Sequence, residues 1–517
     1  MEWSQFAHEL YKAYHFDTLY SSIANVSFGL PSKTTIVLSC ILLYPIGKGI
    51  YNVYFHPLSK YPGPILAKAT KIPAALVIWD GSMSQWMTEL HNYYRSDVVR
   101  ISPDELSFIA PSAWKDIYGL RPGHDEFPKD LNSFIGLVNI LTANNADHSR
   151  LRRLLSHGFS DKALREQESL ISTYVHNLIS GLKNQAQLSK GKANLGDWFN
   201  YTTFDVISDL SFGTSFDCLK NHDYHPWVSL IRDNIKGIAL VDVSTRFPPL
   251  GSLLKFFVPK KLVQAKEDHE RISREKVEQR RRIQTTRPDL VAYALRHRDD
   301  EKGGMTDEEI HQNMAFFIGA GSETTGLLVT GAIWYLLTNP HCLEQANEEV
   351  RERFKRVEDI KLKAITADLK YLQAVIDETF RIYPPALSSQ PRTVPKGGDT
   401  VCGHWIPEGI QVKMNQYAVF HSHLNFNSPE AFAPSRWLGN EHFKNDKRDA
   451  LQPFSVGSRN CIGKPLALAE IRLMLTHMLW TFDMELAEET DEEWAKQKAW
   501  MTWEKKPLVV KLTERKV

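Results

Sequence analysis

The stretch FSVGSRNCIG, residues 454–463, places a single cysteine in a short loop between two glycines. Gly457 and Gly463 permit a tight turn, and such a turn directs backbone N–H groups toward the sulfur of Cys461. The alternative is a buried free cysteine without a chemical role, which is common for this residue type. Five particular residues at this spacing arise by chance in about one chain in 10⁴ of this length, so the loop favours a chemical site.

The residue types in this loop fit a haem-thiolate centre. A cysteine thiolate is a soft ligand for haem iron, and its electron donation favours cleavage of an O–O bond. Phe454 can shield the sulfur, and Arg459 supplies a fixed cation suited to a haem propionate. The chain has five cysteines in all, widely scattered and without a CxxC pair. This distribution fits neither a disulfide scaffold nor a structural zinc site.

A helix of unusual length is predicted over residues 306–339. The segment TDEE at 306–309 forms a capping box at its start, and the dipeptide NP at 339–340 ends it. Its centre, 315–335, is almost uncharged, so this helix is expected to cross the middle of the protein. A shorter helix is predicted over 367–382, and strand-like segments are few. The body is therefore expected to be one large domain, mainly α with small β-sheets.

The middle of the long helix carries the motif GAGSETT, residues 319–325. Each of its two glycines is unfavourable in a helix by about 1 kcal/mol relative to alanine, so another interaction must offset them. The Thr324 hydroxyl can donate to a carbonyl one turn earlier and bend the helix, which opens a groove. A dinucleotide-binding loop is disfavoured because the third glycine and the preceding strand are missing. A site where small residues let two helices pack closely is the simpler alternative.

Together, the Cys461 loop and this helical motif resemble the cytochrome P-450 superfamily, and the resemblance extends over residues 50–517. It implies the cytochrome P-450 fold and haem b with Cys461 as the axial thiolate ligand. It also implies O₂ and NADPH-derived electrons as co-reactants. In the family an acid–threonine pair, matched here by Glu323 and Thr324, organises proton delivery for oxygen activation, and small residues beside it make room for O₂.

Further basic positions match residues with which the family binds the haem propionates. In DHSRLRR, residues 147–153, His148 stands where tryptophan is frequent, and Arg152 follows one turn later. Arg392 matches another propionate-binding arginine, and a guanidinium suits a carboxylate because it donates two parallel hydrogen bonds. Ordinary surface charges are the alternative for His148 and Arg152. The resemblance thus assigns to the haem His148, Arg152, Arg392, Phe454, Gly457, Arg459, Cys461 and Gly463.

One charged pair is expected to have a structural role. Glu378 and Arg381 lie one helical turn apart, an arrangement that in isolation is a common surface ion pair. They match the family's Glu-x-x-Arg pair, which packs against a third residue, here Arg436. Many members carry glutamate where this chain has Ser435. The resemblance implies that the three charged residues stabilise the structure beneath the haem without taking part in the chemistry.

The N-terminal region predicts a membrane anchor. Residues 34–47 carry no charge, and aromatic and aliphatic residues continue the apolar character, which predicts a transmembrane helix over about 34–54. The proline-rich connector at 56–64 is expected to separate the tail and anchor, 1–55, from the catalytic domain, 56–517. A buried helix is the alternative. The distribution of lysines places the catalytic domain on the cytosolic side. We expect a single-pass protein of the endoplasmic reticulum membrane.

Composition and motifs also bear on the partners. Lysine and arginine total 62 against 61 aspartates and glutamates, a net charge of +1, so no charge excess favours nucleic acid. The sequence lacks a dinucleotide or flavin loop, so electrons are expected from a separate NADPH–cytochrome P-450 reductase. A monomer that binds a lipophilic small molecule is expected. Asn25 and Asn200 match the glycosylation sequon; Asn25 is a candidate glycoprotein site if the tail is lumenal, and Asn200 is interpreted as a chance match.

Two segments narrow the resemblance. FHPLSKYPGP at 55–64 and DHSRLRR at 147–153 look most like microsomal fungal members of secondary metabolism, such as trichothecene or polyketide hydroxylases. The predicted activity is a monooxygenase that hydroxylates or epoxidises a polyketide, terpenoid or alkaloid. The alternative is a haem-thiolate isomerase or dehydratase that needs neither O₂ nor a reductase. Glu323 and Thr324 favour the monooxygenase, because only O₂ activation requires organised proton delivery. The oxygen-binding groove predicted at residues 319–325 of the long helix disfavours a third alternative, a haem sensor without catalytic activity.

Overall fold

The computed structural model describes residues 32–130, 138–227, 239, 241–247, 260–283, 287, 289–296 and 303–516. The chain divides into two compact units, Met1–His56 and Pro57–Val517. In the first unit, helix α1 (Lys33–Tyr54) has 22 residues. At 1.5 Å per residue it is about 33 Å long. Its start is capped by the Ser32 side chain, which accepts the Thr35 N–H at 3.1 Å.

Helices make up most of the second unit. They are α2 (Ile65–Ala69), α3 (Ile72–Asp80), α4 (Met83–Tyr94), α5 (Asn145–Leu155), α6 (Asp161–Leu188), α7 (Leu195–Phe212), α8 (Cys218–Asn221), α9 (Lys260–Arg282), α10 (Leu290–Arg296), α11 (Asp307–Leu337), α12 (Pro340–Arg353), α13 (Leu362–Asp368), α14 (Lys370–Ile382), α15 (Gln416–Phe420) and α16 (Lys464–Thr481). This content confirms the prediction of a mainly α protein.

Within the described ranges, short strands form three small sheets. They are β1 (Val98–Ser102), β2 (Glu105–Phe108), β3 (Lys192–Asn194), β4 (Arg392–Thr393), β5 (Asp399–Val401), β6 (His404–Ile406), β7 (Gln411–Lys413), β8 (Phe482–Leu486) and β9 (Val509–Glu514). The sheet orders are β1-β2-β7-β4, β3-β9-β8 and β5-β6, and β2 pairs with β7 in parallel. One hydrophobic cluster lies against the first sheet and α4, and a larger one fills the space between the helices.

Helix α11 crosses the larger core, as its uncharged centre predicts. Its 31 residues span about 46 Å. The capping box is present, because the Thr306 side chain accepts the Glu309 N–H at 3.2 Å and the Glu309 carboxylate accepts the Thr306 N–H at 2.9 Å. Helix α11 is long and apolar enough to cross a membrane, but 72% of its apolar window is buried inside the protein. It is a core helix.

Small residues on α11 allow α7 to pack closely against it. A Cβ added at Gly321 would lie 2.9 Å from the Ile207 side chain, and one added at Gly326 would lie 2.7 Å from the Asn200 side-chain oxygen. For Gly321 the simpler alternative, helix packing, is therefore the one the geometry supports. Asn200 is only 5% exposed within α7, so its sequon is inaccessible. The Asn25 sequon lies outside the described residues.

The helix predicted over 367–382 is interrupted. Helix α13 ends at Asp368 and α14 begins at Lys370, with Leu369 between them in a non-helical conformation. The Glu349 carboxylate on α12 accepts the first free N–H groups of α14, from Tyr371 at 2.7 Å and from Leu372 at 2.9 Å. A carboxylate at a helix N-terminus stabilises that end, and here it comes from another helix. The sequence of α14 alone did not indicate this start.

Candidate functional site

The loop that carries Cys461 is a closed turn. The Cys461 N–H donates to the Phe454 carbonyl at 2.9 Å, and the Asn460 N–H donates to the Gly457 carbonyl at 3.3 Å. Gly457 has a φ of +80°, and a Cβ added there would lie 2.0 Å from the Tyr118 carbonyl oxygen. This position therefore requires glycine both for its left-handed backbone and for its close contact. The turn brings the cysteine to the N-terminus of α16.

Cys461 is accessible, and its sulfur lies close to backbone N–H groups and positive charges. The residue is exposed, while neighbouring protein atoms partly bury the thiol. This burial raises the pKa of the thiol, whereas the N–H groups of Gly463 and Lys464 and the charges of Arg152 and Lys464 lower it. The N-terminus of α16 adds a partial positive charge. An accessible sulfur with N–H donors directed at it is suited to bind a metal as a thiolate.

Gly463 and Phe454 have different roles in the Cys461 loop. A Cβ added at Gly463 would lie 4.0 Å from the Cys461 sulfur and 4.0 Å from Phe159, which is ordinary contact, so the space around Gly463 would admit a side chain. Its contribution is the N–H group that faces the sulfur. The Phe454 ring packs edge-on against Phe380, with ring centres 5.1 Å apart. Phe454 therefore connects the loop to α14.

Five basic residues gather beside the loop. Burial, together with the charges of Arg459, Lys129, Arg152 and Arg392, lowers the pKa of His148 to about 3. Burial and the charges of Arg459 and Arg392 likewise lower the pKa of Lys129 to about 7, against the smaller opposing effect of a carboxylate. Burial also lowers the pKa of each of the three arginines. Buried basic groups that disfavour one another's positive charge form a site that an anion would stabilise.

Two of these arginines also hold the Cys461 loop in place. Arg459 donates from Nε to the Glu126 carboxylate at 2.9 Å and from Nη2 to the Asn145 side-chain oxygen at 2.7 Å. Arg152 donates to both oxygens of Asn460, at 2.5 Å to the carbonyl and at 2.7 Å to the side chain. Arg152 thus contacts the residue directly before the cysteine. These contacts place both guanidinium groups at the edge of the loop.

Arg392 and Lys129 form the other side of the basic cluster and pair through their backbones. Arg392 donates to the Phe127 carbonyl at 3.3 Å and lies 5.4 Å from the centre of the Tyr118 ring. Its buried Nε has no hydrogen-bond partner among the described residues. Lys129 donates to the Leu141 carbonyl. Sequence reasoning missed Lys129, because no motif surrounds it and only the pairing with β4 brings it into the cluster.

The three residues expected beneath the haem are in contact. Arg381 and Glu378 form an ion pair at 2.8 Å, Arg436 approaches the same carboxylate at 3.3 Å, and all three side chains are 0% exposed. Trp437 donates from its indole nitrogen to Glu378 at 3.0 Å. Asp446, which sequence reasoning missed, forms a second ion pair with Arg436. The buried charges are thus mutually compensated, and they tie α14 to the segment that precedes the Cys461 loop.

The acid–threonine pair lies on α11. The Thr324 hydroxyl donates to the Ala320 carbonyl at 2.8 Å, one turn earlier, as the sequence predicts. Glu323 is 5% exposed, and its carboxylate forms an ion pair with Lys505. Sequence reasoning missed Lys505, which follows Glu323 by 182 positions (505 − 323) in the chain.

Helix α11 and the Cys461 loop are connected through one aromatic residue. The Phe159 ring packs edge-on against Phe317 of α11 with ring centres 5.3 Å apart. The same ring lies 4.0 Å from the position of a Cβ on Gly463. The motif on α11 and the cysteine loop are therefore parts of one region of the protein, although about 140 residues separate them in the sequence.

Comparison with known proteins identifies the family of this site. The chain matches the Cytochrome P450 family model over residues 124–512. It is 41% identical over 476 residues to cytochrome P450 monooxygenase astJ of Aspergillus oryzae, an alignment that covers 90% of this chain and 94% of the relative. It is 42% identical over 476 residues to cytochrome P450 monooxygenase astA of Talaromyces wortmannii, with 91% and 95% covered. It is 40% identical over 483 residues to cytochrome P450 monooxygenase stcF of Emericella nidulans, with 92% and 98% covered.

These matches confirm the predicted resemblance to fungal cytochrome P450 monooxygenases of secondary metabolism. The matched region includes the Cys461 loop, the motif on α11 and all five basic residues. Membership implies a haem-thiolate cofactor, O₂ and electrons from a reductase. The chain therefore belongs to the cytochrome P450 family, and it is a cytochrome P450 monooxygenase.

Proposed function

We propose that this monooxygenase inserts one oxygen atom from O₂ into a lipophilic small molecule, by hydroxylation or epoxidation, in a fungal secondary-metabolite pathway. The substrate class is a polyketide, terpenoid or alkaloid. The observation that carries the proposal is the accessible Cys461 thiol with the N–H groups of Gly463 and Lys464 directed at it, beside a cluster of buried basic residues. The fungal relatives, which are named monooxygenases, support the same reaction class.

The residues present fit haem b. When bound, the haem supplies the iron centre at which O₂ is activated and from which oxygen is transferred. Cys461 would hold the haem iron through its sulfur, which would be present as the thiolate. The buried Arg392 Nε has no hydrogen-bond partner among the described residues, and a propionate carboxylate could accept its N–H. The two propionates of haem b would also reduce the electrostatic repulsion within the basic cluster. We assign to the propionates Lys129, His148, Arg152, Arg392 and Arg459.

Glu323 and Thr324 are proposed to deliver protons. The Thr324 hydroxyl donates to the Ala320 carbonyl, so its oxygen remains able to accept a hydrogen bond from water or substrate. Such a side chain-to-backbone bond loosens the helix locally and gives the hydroxyl a fixed direction. Glu323 is a buried carboxylate beside it and can bind and release a proton. The pair thus provides an ordered route for protons toward the region above Cys461.

Glu378, Arg381 and Arg436 are proposed to act structurally. Each is fully buried, and their charges are satisfied within the protein. A buried pair of this kind contributes little net stability when intact, but removal of one partner costs about 3–5 kcal/mol because the other charge remains buried. The cluster would therefore hold the segment before the Cys461 loop in place while taking no part in proton or electron transfer.

The electrons are proposed to come from an NADPH–cytochrome P450 reductase at the endoplasmic reticulum membrane. Helix α1 is long enough to cross a hydrocarbon core of about 30 Å. We infer that residues 1–55 anchor the protein by a single span and that the catalytic domain lies in the cytosol, where the reductase supplies electrons.

An oxygen-isotope experiment tests this function. The gene is deleted in the producing fungus, the compound that accumulates is isolated, and the full-length protein is co-expressed with a reductase. Incubation of that compound with NADPH under ¹⁸O₂ should give a product that contains one ¹⁸O atom. A product that forms without O₂ and NADPH, and without label, would identify an isomerase or dehydratase instead.

A further inference from the structure

The carboxylate of Glu323 has a basic partner that the family motif does not contain. The Lys505 ammonium forms an ion pair with this carboxylate. The Lys505 side chain is 15% exposed and the Glu323 side chain is 7% exposed. Lys505 lies between β8 and β9, in a segment far from α11 in the chain. A buried carboxylate without a compensating charge is strongly unfavourable, so this contact affects both the charge and the position of Glu323.

The backbone of Lys505 is unusual in a way that supports a specific role. Lys505 has a φ of +68°, a left-handed conformation that is unfavourable for a residue with a side chain by about 1–2 kcal/mol. The Gln497 side-chain oxygen accepts the Lys505 N–H at 2.8 Å and the Lys506 N–H at 3.2 Å. The surrounding segment therefore holds a strained residue whose side chain reaches Glu323.

A second set of contacts fixes the same segment against the core. The Trp503 indole donates to the Pro384 carbonyl at 2.9 Å, and its ring stacks on Tyr383 at 4.8 Å with an interplanar angle of 7°. Trp503 is 3% exposed and Tyr383 is 1% exposed. Two residues from Lys505, the chain is thus anchored in the interior. This rigidity limits the positions that the Lys505 ammonium can adopt.

We propose that Lys505 is a positioning residue for proton delivery, which holds the Glu323 carboxylate in a fixed orientation beside Thr324. The inference rests on the proposed monooxygenase function. In the absence of the ammonium, the buried carboxyl group would take up a proton or rotate toward another partner. Protons would then reach the activated oxygen out of step with electron transfer, and reduced oxygen would be released as hydrogen peroxide.

Four variants test this role: Lys505→Met, Lys505→Arg, Glu323→Gln and the double variant Lys505→Met/Glu323→Gln. Lys506→Met is the matched control, because Lys506 pairs with the partly exposed Asp491 at 2.6 Å on the surface. The enzyme with haem is assayed with a reductase, NADPH and the compound that accumulates in the deletion strain. Product and hydrogen peroxide per NADPH are measured, together with thermal unfolding by circular dichroism.

We expect Lys505→Met to lower the product per NADPH by about tenfold and to raise hydrogen peroxide correspondingly. The reason is that proton transfer by a correctly positioned Glu323 would be lost. Lys505→Arg should recover most of the coupling, and Lys506→Met should match the wild type. In unfolding, Lys505→Met should lower Tm by several degrees in the wild-type background and by much less when Glu323 is Gln, because the buried charge is then absent.

Unchanged coupling in Lys505→Met would overturn the proposal, even if Tm falls, because the ion pair would then be only structural. Equal Tm shifts in both backgrounds would also overturn it, since the two side chains would not interact. Failure of the underlying function is recognised separately, because the wild-type protein itself would incorporate no oxygen from O₂.

Discussion

The two glycines that flank Cys461 give a sharp test of how the loop is built. Gly457→Ala places a Cβ 2.0 Å from the Tyr118 carbonyl oxygen at a residue whose φ is +80°. Gly463→Ala, the matched control, places a Cβ no closer than 4.0 Å to any neighbour, at a φ of −82°. Only the first change therefore creates both backbone strain and a steric clash.

The expected magnitudes follow from these two contacts. A left-handed alanine costs about 1–2 kcal/mol. Relief of the clash requires a backbone shift of more than about 1 Å, with an overpacking cost of about 1–3 kcal/mol. Gly457→Ala should therefore lower the free energy of unfolding by about 2–5 kcal/mol. Gly463→Ala should lower it by about 1 kcal/mol or less, which is the difference between glycine and alanine at a helix N-cap.

Urea unfolding and the spectrum of the reduced carbon monoxide complex measure the two consequences. We expect Gly457→Ala to unfold at lower urea and to lose most of the absorption band typical of thiolate-ligated haem, because the loop can no longer present Cys461. Gly463→Ala should keep the band. If both variants kept the band and the wild-type stability, or both lost them, the contact with Tyr118 would not determine the conformation of the loop.

Three further predictions concern the sulfur, the proton path and a buried acid. Cys461→Ser should abolish the thiolate-type carbon monoxide band and the monooxygenase activity, whereas Cys218→Ala should change only thermal stability. Thr324→Ala should retain haem but raise hydrogen peroxide per NADPH by about tenfold, because the ordered hydroxyl is lost; unchanged coupling would make it a packing residue. Burial raises the pKa of Asp377 to about 6, so its ionised form destabilises the folded state above that pH. Asp377→Asn should therefore raise Tm at pH 7.5, and the gain should disappear as the pH falls toward the unfolded-state value of about 3.9; a gain independent of pH would contradict this.

Parts of the fold followed directly from local sequence. The capping box at Thr306 and Glu309 predicted the start of α11, and the contact that forms it involves residues three positions apart. The bond from Thr324 to Ala320 likewise joins neighbours on one helix. The strands β3 and β4 have no local signal in the sequence, because they contain three and two residues and form only against distant partners.

Patterns along the chain were sufficient to predict the family, the cysteine loop and the long central helix. Each of these depends on residues within about one or two helical turns of each other, so the pattern in the chain already contains the contact. It also indicated that Glu378, Arg381 and Arg436 belong together, through the resemblance rather than through any local signal.

The charged residues that contact one another became known from the three-dimensional fold. Lys129 joins the cluster because its backbone pairs with Arg392, and Lys505 reaches Glu323 from the segment before β9. Asp446 pairs with Arg436, and Glu349 defines the start of α14. Electrostatic contacts act through space, between side chains that the packed core brings within a few ångströms of each other. The number of residues between two side chains in the sequence does not predict that distance.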